Sequence, residues 1–476
     1  MVATPLPIPR FRSGWYGARI NKMRYYIITY GCQMNKSDSE RIATMLEEIG
    51  YQSASKENEA DLIVVNMCSI RQSAVDRVYG LIPKFEKLKN RNRKLKTELP
   101  KEAKVEKRTK SSLTTVLTGC ILKEDKKKFK KVFDLILDIR SLPNWKKYLG
   151  LKTSPVSQKS LLPYESYYLS TNPKHSNSFS AFVPISNGCN NFCAYCVVPF
   201  TRRILICRDH KEILKEVKNV VQEKFKEIWL LGQNVNDYHS PADSSISFPK
   251  LLKMVNNIPG NFWLRFTSPH PKNFSSELIR TMARLQKVTP YLNLPVQSGD
   301  NKILTRMRRP YNVLQYKNLV KNIRDAFKKY RNGLERDITL STDIIVGFPG
   351  ETKKQFKNTV KLFKEIKFDM AYLAQYSPRP GTAAAKMSYN ISKNEKGERW
   401  KILTEILKKM ALAKNKKYIG KKVDVLIDET KEKYYFGKTK SYKAVKIESI
   451  KNNLVGQFVK VKITDANSFG LKGKLI

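Results

Sequence analysis

Residues 187–202 read NGCNNFCAYCVVPFTR, and their three cysteines, Cys189, Cys193 and Cys196, decide how the middle of the chain is read. Thiolates at such short spacing are the usual protein ligands of iron–sulfur clusters. One turn of backbone presents three of them, and no fourth ligand follows nearby. A four-iron cluster held by three cysteines keeps one iron open to a substrate or cofactor, whereas a closed cluster only carries electrons. Structural zinc would want four closed ligands, commonly paired Cys or Cys/His groups. The next cysteine, Cys207, stands eleven residues on, and His210 is a lone histidine in a charged segment, so the spacing argues against zinc.

CxxxCxxC followed by an apolar–Pro step resembles the signature of the radical S-adenosylmethionine (SAM) enzymes. The resemblance implies that the open iron chelates the amino and carboxylate groups of SAM, with Tyr195 in contact with the cofactor. An electron passed into the sulfonium then breaks a carbon–sulfur bond and releases a deoxyadenosyl radical. The protein's share is to position and shield that chemistry.

Downstream, strand and helix patterns alternate. Strand candidates are residues 182–185, 228–231, 264–266, 292–294, 338–346 and 370–375, with helical segments such as 211–224, 313–329 and 352–366 between them. Six β/α units predict a partial (β/α)6 barrel over 179–415, with active groups on the loops after the strands. The cluster cysteines follow the first strand. Gln233, Asn234 and Asn236 follow the second, Thr267 and Ser268 the third, Gln297 and Ser298 the fourth, and Gly347 and Gly350 the fifth, which also carries Asp343. As a convergent ring these groups suit the ribose, carboxylate and adenine of SAM; taken singly, each equally suits loop capping. His239 and His270 read as surface or loop residues.

Upstream, one theme repeats three times. Residues 25–29 (YYIIT) lead to Tyr30, Gly31 and Cys32; residues 62–65 (LIVV) lead to Asn66, Met67 and Cys68; residues 113–117 (LTTVL) lead to Thr118, Gly119 and Cys120. A helical pattern follows each, for example 39–49 behind the potential cap Asp38. Strands alternating with helices predict a doubly wound parallel sheet over 23–150. Ligands collect outside the carboxyl ends of such strands, so Cys32, Cys68 and Cys120 predict a second cluster site. Three buried structural cysteines are the alternative, but the recurrence at one sheet edge favours a cluster. Residues 85–110 are almost wholly basic and polar and read as a solvated helix and loop.

At 476 residues the chain is long enough for two or three domains, and no apolar run is long enough to cross a bilayer. The opening MVATPLPIPRFRSGW lacks the apolar centre of a secretory signal, so 1–22 read as an irregular extension. Seven cysteines, an odd number, do not make a disulfide framework and fit a reducing, cytoplasmic setting. Lys plus Arg number 90 against 42 Asp plus Glu, a net charge of +48 that points to a polyanion, most simply nucleic acid. Part of that charge belongs to solvated tracts such as KKKFKK. After a linker, 151–178, and the barrel, residues 416–476 lose the helical period and predict a small antiparallel β-barrel. There Tyr434, Tyr435 and Phe436, with Lys438, Lys440, Lys443 and Lys446, suit RNA by stacking and phosphate contact.

Together, TYGCQMNKSDSER, NMCSIR, the CxxxCxxC segment, LLGQNVNDY, RFTSPHP, LPVQSG, TDIIVGFPGET and YSPRPGTAAAKM resemble the radical SAM methylthiotransferases, in their MiaB-type tRNA branch. The resemblance covers nearly the whole chain after Met23. It implies a methylthiotransferase domain, a radical SAM barrel and a TRAM domain. It implies two 4Fe-4S clusters, one on Cys189, Cys193 and Cys196 that cleaves SAM and one on Cys32, Cys68 and Cys120 that delivers sulfur. The reaction implied is methylthiolation at carbon 2 of isopentenyl-modified adenosine in the tRNA anticodon stem-loop. A low-potential donor such as flavodoxin or ferredoxin and a monomeric enzyme without membrane contact are implied with it. The alternatives are a sibling acting on threonylcarbamoyladenosine and an RNA-binding iron–sulfur protein without turnover. Arg203, Leu205, Cys207 and Arg208 depart from the family pattern, as do Asn293, where His is usual, and Ile121–Leu122 after Cys120; all six ligands are intact.

Overall fold

The computed structural model describes residues 23–70, 72–97, 113–149, 167–388, 391–449 and 453–476. The extension at 1–22 and the basic stretch at 98–112 lie outside the described residues.

The chain begins with five parallel strands: β1 (Arg24–Tyr30), β2 (Gln52–Ser53), β3 (Leu62–Cys68), β4 (Thr114–Cys120) and β5 (Leu135–Ile136). Their order is β2-β1-β3-β4-β5, a doubly wound sheet with its switch point between β1 and β3. β3 is buried at every residue, as a strand covered on both faces must be. On one face Ile63, Val65 and Met67 meet Val78, Phe85 and Phe129. On the other, Leu62 and Val64 meet Ile42, Leu46 and Trp145, and this core continues into Phe182, Trp229 and Tyr291 of the barrel. The basic segment forms a helix, Ile82–Thr97, anchored by the buried Phe85.

The helix after β1 corrects the sequence reading. It spans Gln33–Glu48, and its cap is Cys32 rather than Asp38. Asn35 replaces the usual capping side chain: its Oδ1 accepts from Cys32 N at 3.3 Å, and its Nδ2 donates to Asn66 Oδ1 at 2.9 Å. Asp38 lies inside the helix, fully buried.

The six barrel strands are Ser180–Pro184, Glu227–Leu231, Trp263–Phe266, Tyr291–Asn293, Thr339–Val346 and Met370–Gln375. They form two three-stranded parallel sheets rather than one continuous sheet. Across the seam an isolated bridge pairs Leu264 with Val288. Pro290 stands just before the fourth strand and has no N–H to extend the ladder. Helices cover the outside, and Val183, Ile228, Leu264, Leu292 and Ile344 share one core with them.

The two α/β domains are locked together. Arg41, fully buried in the first helix, donates to Glu216 Oε1 and Oε2 at 2.9 Å each. Arg208 Nη1 reaches Glu216 Oε2 at 2.8 Å. Burial alone would raise the Glu216 pKa, but Arg41 and Arg208 hold it below the usual range. The described part of the expected linker is packed as well: Tyr168 and Leu169 are fully buried, and Ser176 Oγ donates to Glu40 Oε1 at 2.8 Å.

The tail strands, Lys422–Lys431, Tyr434–Thr439, Ala444–Glu448, Phe458–Ala466 and Leu471–Leu475, close into a barrel. One pair, Ala444–Glu448 with Leu471–Leu475, is parallel, because five strands cannot alternate in direction all the way round a closed ring. Part of the expected RNA face is engaged within the protein. Tyr435 belongs to the barrel core. Lys438 pairs with Asp428 at 2.6 Å, Lys440 with Glu335 at 2.8 Å and Lys443 with Asp369 at 2.8 Å. Two of these lysines therefore dock the tail on the larger barrel. Lys446 lies over the Tyr434 ring, 3.5 Å from its centroid. Tyr442, at φ 65°, inserts its ring between the domains and stacks on Tyr291 at 4.4 Å.

Candidate active site

The cluster loop is shaped by the residue before its first cysteine. Gly188 has φ 84°, and a Cβ there would lie 1.9 Å from the carbonyl oxygen of Ile204. Only glycine lets the two segments close, and Cys189 N then donates to Arg203 O at 3.1 Å. Gly119 does the same before Cys120, with φ 103° and a hypothetical Cβ 2.3 Å from Met67 O. Such positions favour glycine because it alone tolerates both the dihedral and the close approach.

Cys189, Cys193 and Cys196 line a cavity of about 900 Å³ whose wall is shared by the larger barrel, the N-terminal domain and the tail. Donors are aimed at the sulfurs: Asn191 N reaches Cys189 Sγ at 3.4 Å, and Arg309 Nη1 reaches Cys193 Sγ at 3.4 Å. Burial raises the Cys189 thiol and pushes Cys196 up to about 12. These groups become thiolates only against a strong positive charge, which bound iron provides. Cys207 sits in a small antiparallel ladder with Ser186–Asn187; burial pushes its thiol up to about 11.

Cys32 lines the same cavity. Cys68 and Cys120 are register partners at the ends of β3 and β4, and they share a small buried cluster with Ala74. The hydrogen bond from Cys68 lowers the Cys120 pKa to about 6; burial opposes this, and Arg202 assists it. The same hydrogen bond, together with burial, raises the Cys68 thiol well above its ordinary value. Among the described residues no three Cys, His, Asp or Glu side chains close on one point as for a single ion. Three thiols from three strand ends of one sheet, two of them register partners, are the donor set a four-iron cluster takes.

Of the residues expected at SAM, Tyr195, Gln233, Ser268, Gln297 and Asp343 line the cavity. Ser268 and Gln297 do so from left-handed backbone, at φ 57° and 71°. Asn234 and Gly347 are not among the lining residues. Asn234 is buried and donates to Asp237 Oδ2 at 3.1 Å; Gly347 donates to Glu351 Oε2 at 2.8 Å. Asn293, a departure from the family pattern, donates to Asp343 Oδ2 at 3.0 Å and so fixes that carboxylate from the neighbouring strand.

Three side chains at these sites escaped the sequence reading. His270 is buried in the cavity wall, not a surface residue. Its Nδ1 accepts from Lys272 N at 3.1 Å. Burial, then Arg309 and Lys272, lowers its pKa to about 3, so the ring is neutral. Its Nε2 has no protein partner among the described residues, which leaves one N–H for a bound molecule. Arg309 is buried, with Nη2 on Pro295 O at 3.1 Å and Nε on Tyr311 OH at 2.8 Å. Arg202, also buried, reaches Cys120 Sγ at 2.9 Å. Arg202 stands in the cysteine stretch and His270 in RFTSPHP, but nothing in their spacing says which way they point. His239 is exposed, as expected.

Fold and site define an α/β protein in which four cysteines, from two domains, line one cavity. The radical SAM superfamily model matches residues 183–363, Uncharacterized protein family UPF0004 matches 24–138, and the TRAM domain matches 416–476. A protein of Clostridium botulinum strain Langeland, named tRNA-2-methylthio-N(6)-dimethylallyladenosine synthase, is 37% identical over 95% of this chain and 97% of its own. A protein of the same name from Dictyoglomus thermophilum is 37% identical over 95% of this chain and 98% of its own. Among solved structures, the radical S-adenosylmethionine methyltransferase TsrM of Kitasatospora setae aligns over 76% of this chain and 74% of that chain, at 12% identity and TM-score 0.48. The chain belongs to the radical SAM methylthiotransferases, in the tRNA-2-methylthio-N(6)-dimethylallyladenosine synthase family. Membership carries with it SAM and a 4Fe-4S cluster.

Proposed function

We propose that this chain replaces the hydrogen on carbon 2 of isopentenyl-modified adenosine, beside the tRNA anticodon, with a methylthio group. The observation that carries the reading is the shared cavity: Cys189, Cys193 and Cys196 line it together with Cys32, a ligand of the proposed second 4Fe-4S site. When bound, the first cluster supplies the electron that splits SAM into methionine and a deoxyadenosyl radical, and the second supplies sulfur. One SAM is consumed to make the radical and another gives the methyl group.

The chain's own residues set the stage. Tyr195, Gln233, Ser268, Gln297 and Asp343, which line the cavity, would hold SAM, with Asn293 orienting Asp343. The neutral His270 offers Nε2–H to cofactor or base without adding charge. Phe182, Phe266 and Tyr291 line the same cavity and keep water from a reactive carbon radical. The net charge of +48 draws the anticodon stem-loop toward the mouth. A low-potential flavodoxin or ferredoxin fits as electron donor, with the enzyme a cytoplasmic monomer.

The test is mass spectrometry of tRNA nucleosides after expression in a host lacking its own enzyme. A methylthio-isopentenyl adenosine is expected. A methylthio-threonylcarbamoyl product moves the chain to the sibling reaction, and unmodified tRNA from iron-loaded cells overturns the proposal.

A further inference from the structure

Arg202 lies six residues after Cys196, at the end of the short helix Val198–Thr201. Its side chain is 2% exposed and points away from its own cluster loop into the N-terminal domain. Nη2 donates to Asp38 Oδ2 at 2.5 Å, and Nη1 donates to Tyr168 OH and Asn187 Oδ1 at 3.3 Å each. The remaining nitrogen, Nε, reaches Cys120 Sγ at 2.9 Å. A guanidinium is a rigid planar fork. With both Nη atoms anchored, the direction of the Nε–H bond is fixed on the sulfur.

A buried cation is costly unless paired and hydrogen-bonded. Asp38 supplies the pairing, yet the first helix would do without either charge if packing were the sole demand. The arrangement is informative: with its Nη atoms on a carboxylate, a phenol and an amide, the guanidinium turns its Nε–H to a thiol. Hydrogen bonds to ligand sulfurs stabilise the more negative, reduced state of an iron–sulfur cluster.

We infer that Arg202 is a positioning residue of the second site, holding Cys120 Sγ by its Nε–H bond and raising the reduction potential of the cluster bound there. This rests on the reading that Cys32, Cys68 and Cys120 carry a cluster. The residue thereby ties the chain segment of one cluster to a ligand of the other. Its anchor, Asp38, lies six residues beyond Cys32, so the contact also sets the first helix against the barrel.

The full-length chain with Cys189, Cys193 and Cys196 all replaced by alanine isolates the second site. Iron analysis of this anaerobically loaded protein comes first: absence of iron sinks the cluster reading itself, independently of Arg202. In that background, Arg202→Gln and Arg202→Lys are titrated potentiometrically with spectroscopic detection. The expected result is retained iron with a midpoint at lower potential in Arg202→Gln and a smaller shift in Arg202→Lys, which keeps the charge but not the fork. An unchanged midpoint in an iron-loaded Arg202→Gln protein overturns the inference. Should that variant hold no iron, the lysine variant decides, by the same criterion. Loss of iron from both, in folded protein, also overturns it, since Arg202 would then build the site and not tune it.

Discussion

Gly188 shows how much chemistry rests on a missing methyl group. Its left-handed backbone and its contact with Ile204 O leave no room for a side chain. Gly188→Ala is expected to cost roughly 1–3 kcal/mol in strain and to lower the iron retained on Cys189, Cys193 and Cys196, read by iron analysis. Cys193→Ala is expected to abolish deoxyadenosine formation while circular dichroism stays that of the parent. Cys120→Ala is expected to keep SAM cleavage and lose methylthiolation; surviving methylthiolation would show the second site misassigned. The Gly–Cys steps at 31–32, 119–120 and 188–189 were legible in the sequence because strand end, turn and ligand are adjacent there. Arg202, Arg309 and His270 were not. Their roles depend on which segment lies opposite, and a lone arginine or histidine carries no such record.

At the scale of elements, strand positions were legible because buried parallel strands are continuous apolar runs. The start of the first helix was misread because its opening turn is polar and its cap is a cysteine, outside the usual capping set. In the tail the barrel was legible, but the contacts of its side chains were not. Aromatic and basic residues on one strand look alike whether they await RNA or dock on a neighbouring domain, and here docking claims several of them. Arg265 is the centre of that docking: it pairs with the buried Glu227 and donates to Lys440 O at 2.9 Å and Thr439 O at 3.2 Å. It also sits over the Tyr442 ring, 4.9 Å from its centroid. Arg265→Ala leaves Glu227 buried without that partner, a loss of about 3–5 kcal/mol. Hydrogen exchange should show it as faster exchange of the amides after Tyr418; unchanged protection there would contradict the docking role.

Across the whole molecule, buried carboxylates hold the three parts together. Glu216 joins the first two domains and Asp369 joins the barrel to the tail, while Glu227 holds Arg265, which reaches the tail carbonyls. For all three, burial opposes ionisation, but neighbouring cations hold the pKa below the usual range: Arg41 and Arg208 at Glu216, Arg265 at Glu227, Lys443 and Lys414 at Asp369. A depressed folded-state pKa contributes stability that is complete above the ordinary carboxylate range, near about 4, and is lost as pH falls through the lower folded value. Thermal unfolding should therefore hardly change between neutral pH and about 5 and then fall steeply in acid. A melting temperature that declines steadily from neutrality would contradict this account.

The most direct test of the two-cluster reading is iron and sulfide analysis of anaerobically loaded protein, with each cysteine trio replaced in turn by alanine. The account predicts about eight iron per chain in the parent and about four in either triple variant. A parent that binds about four, unchanged when Cys32, Cys68 and Cys120 are replaced, would contradict it.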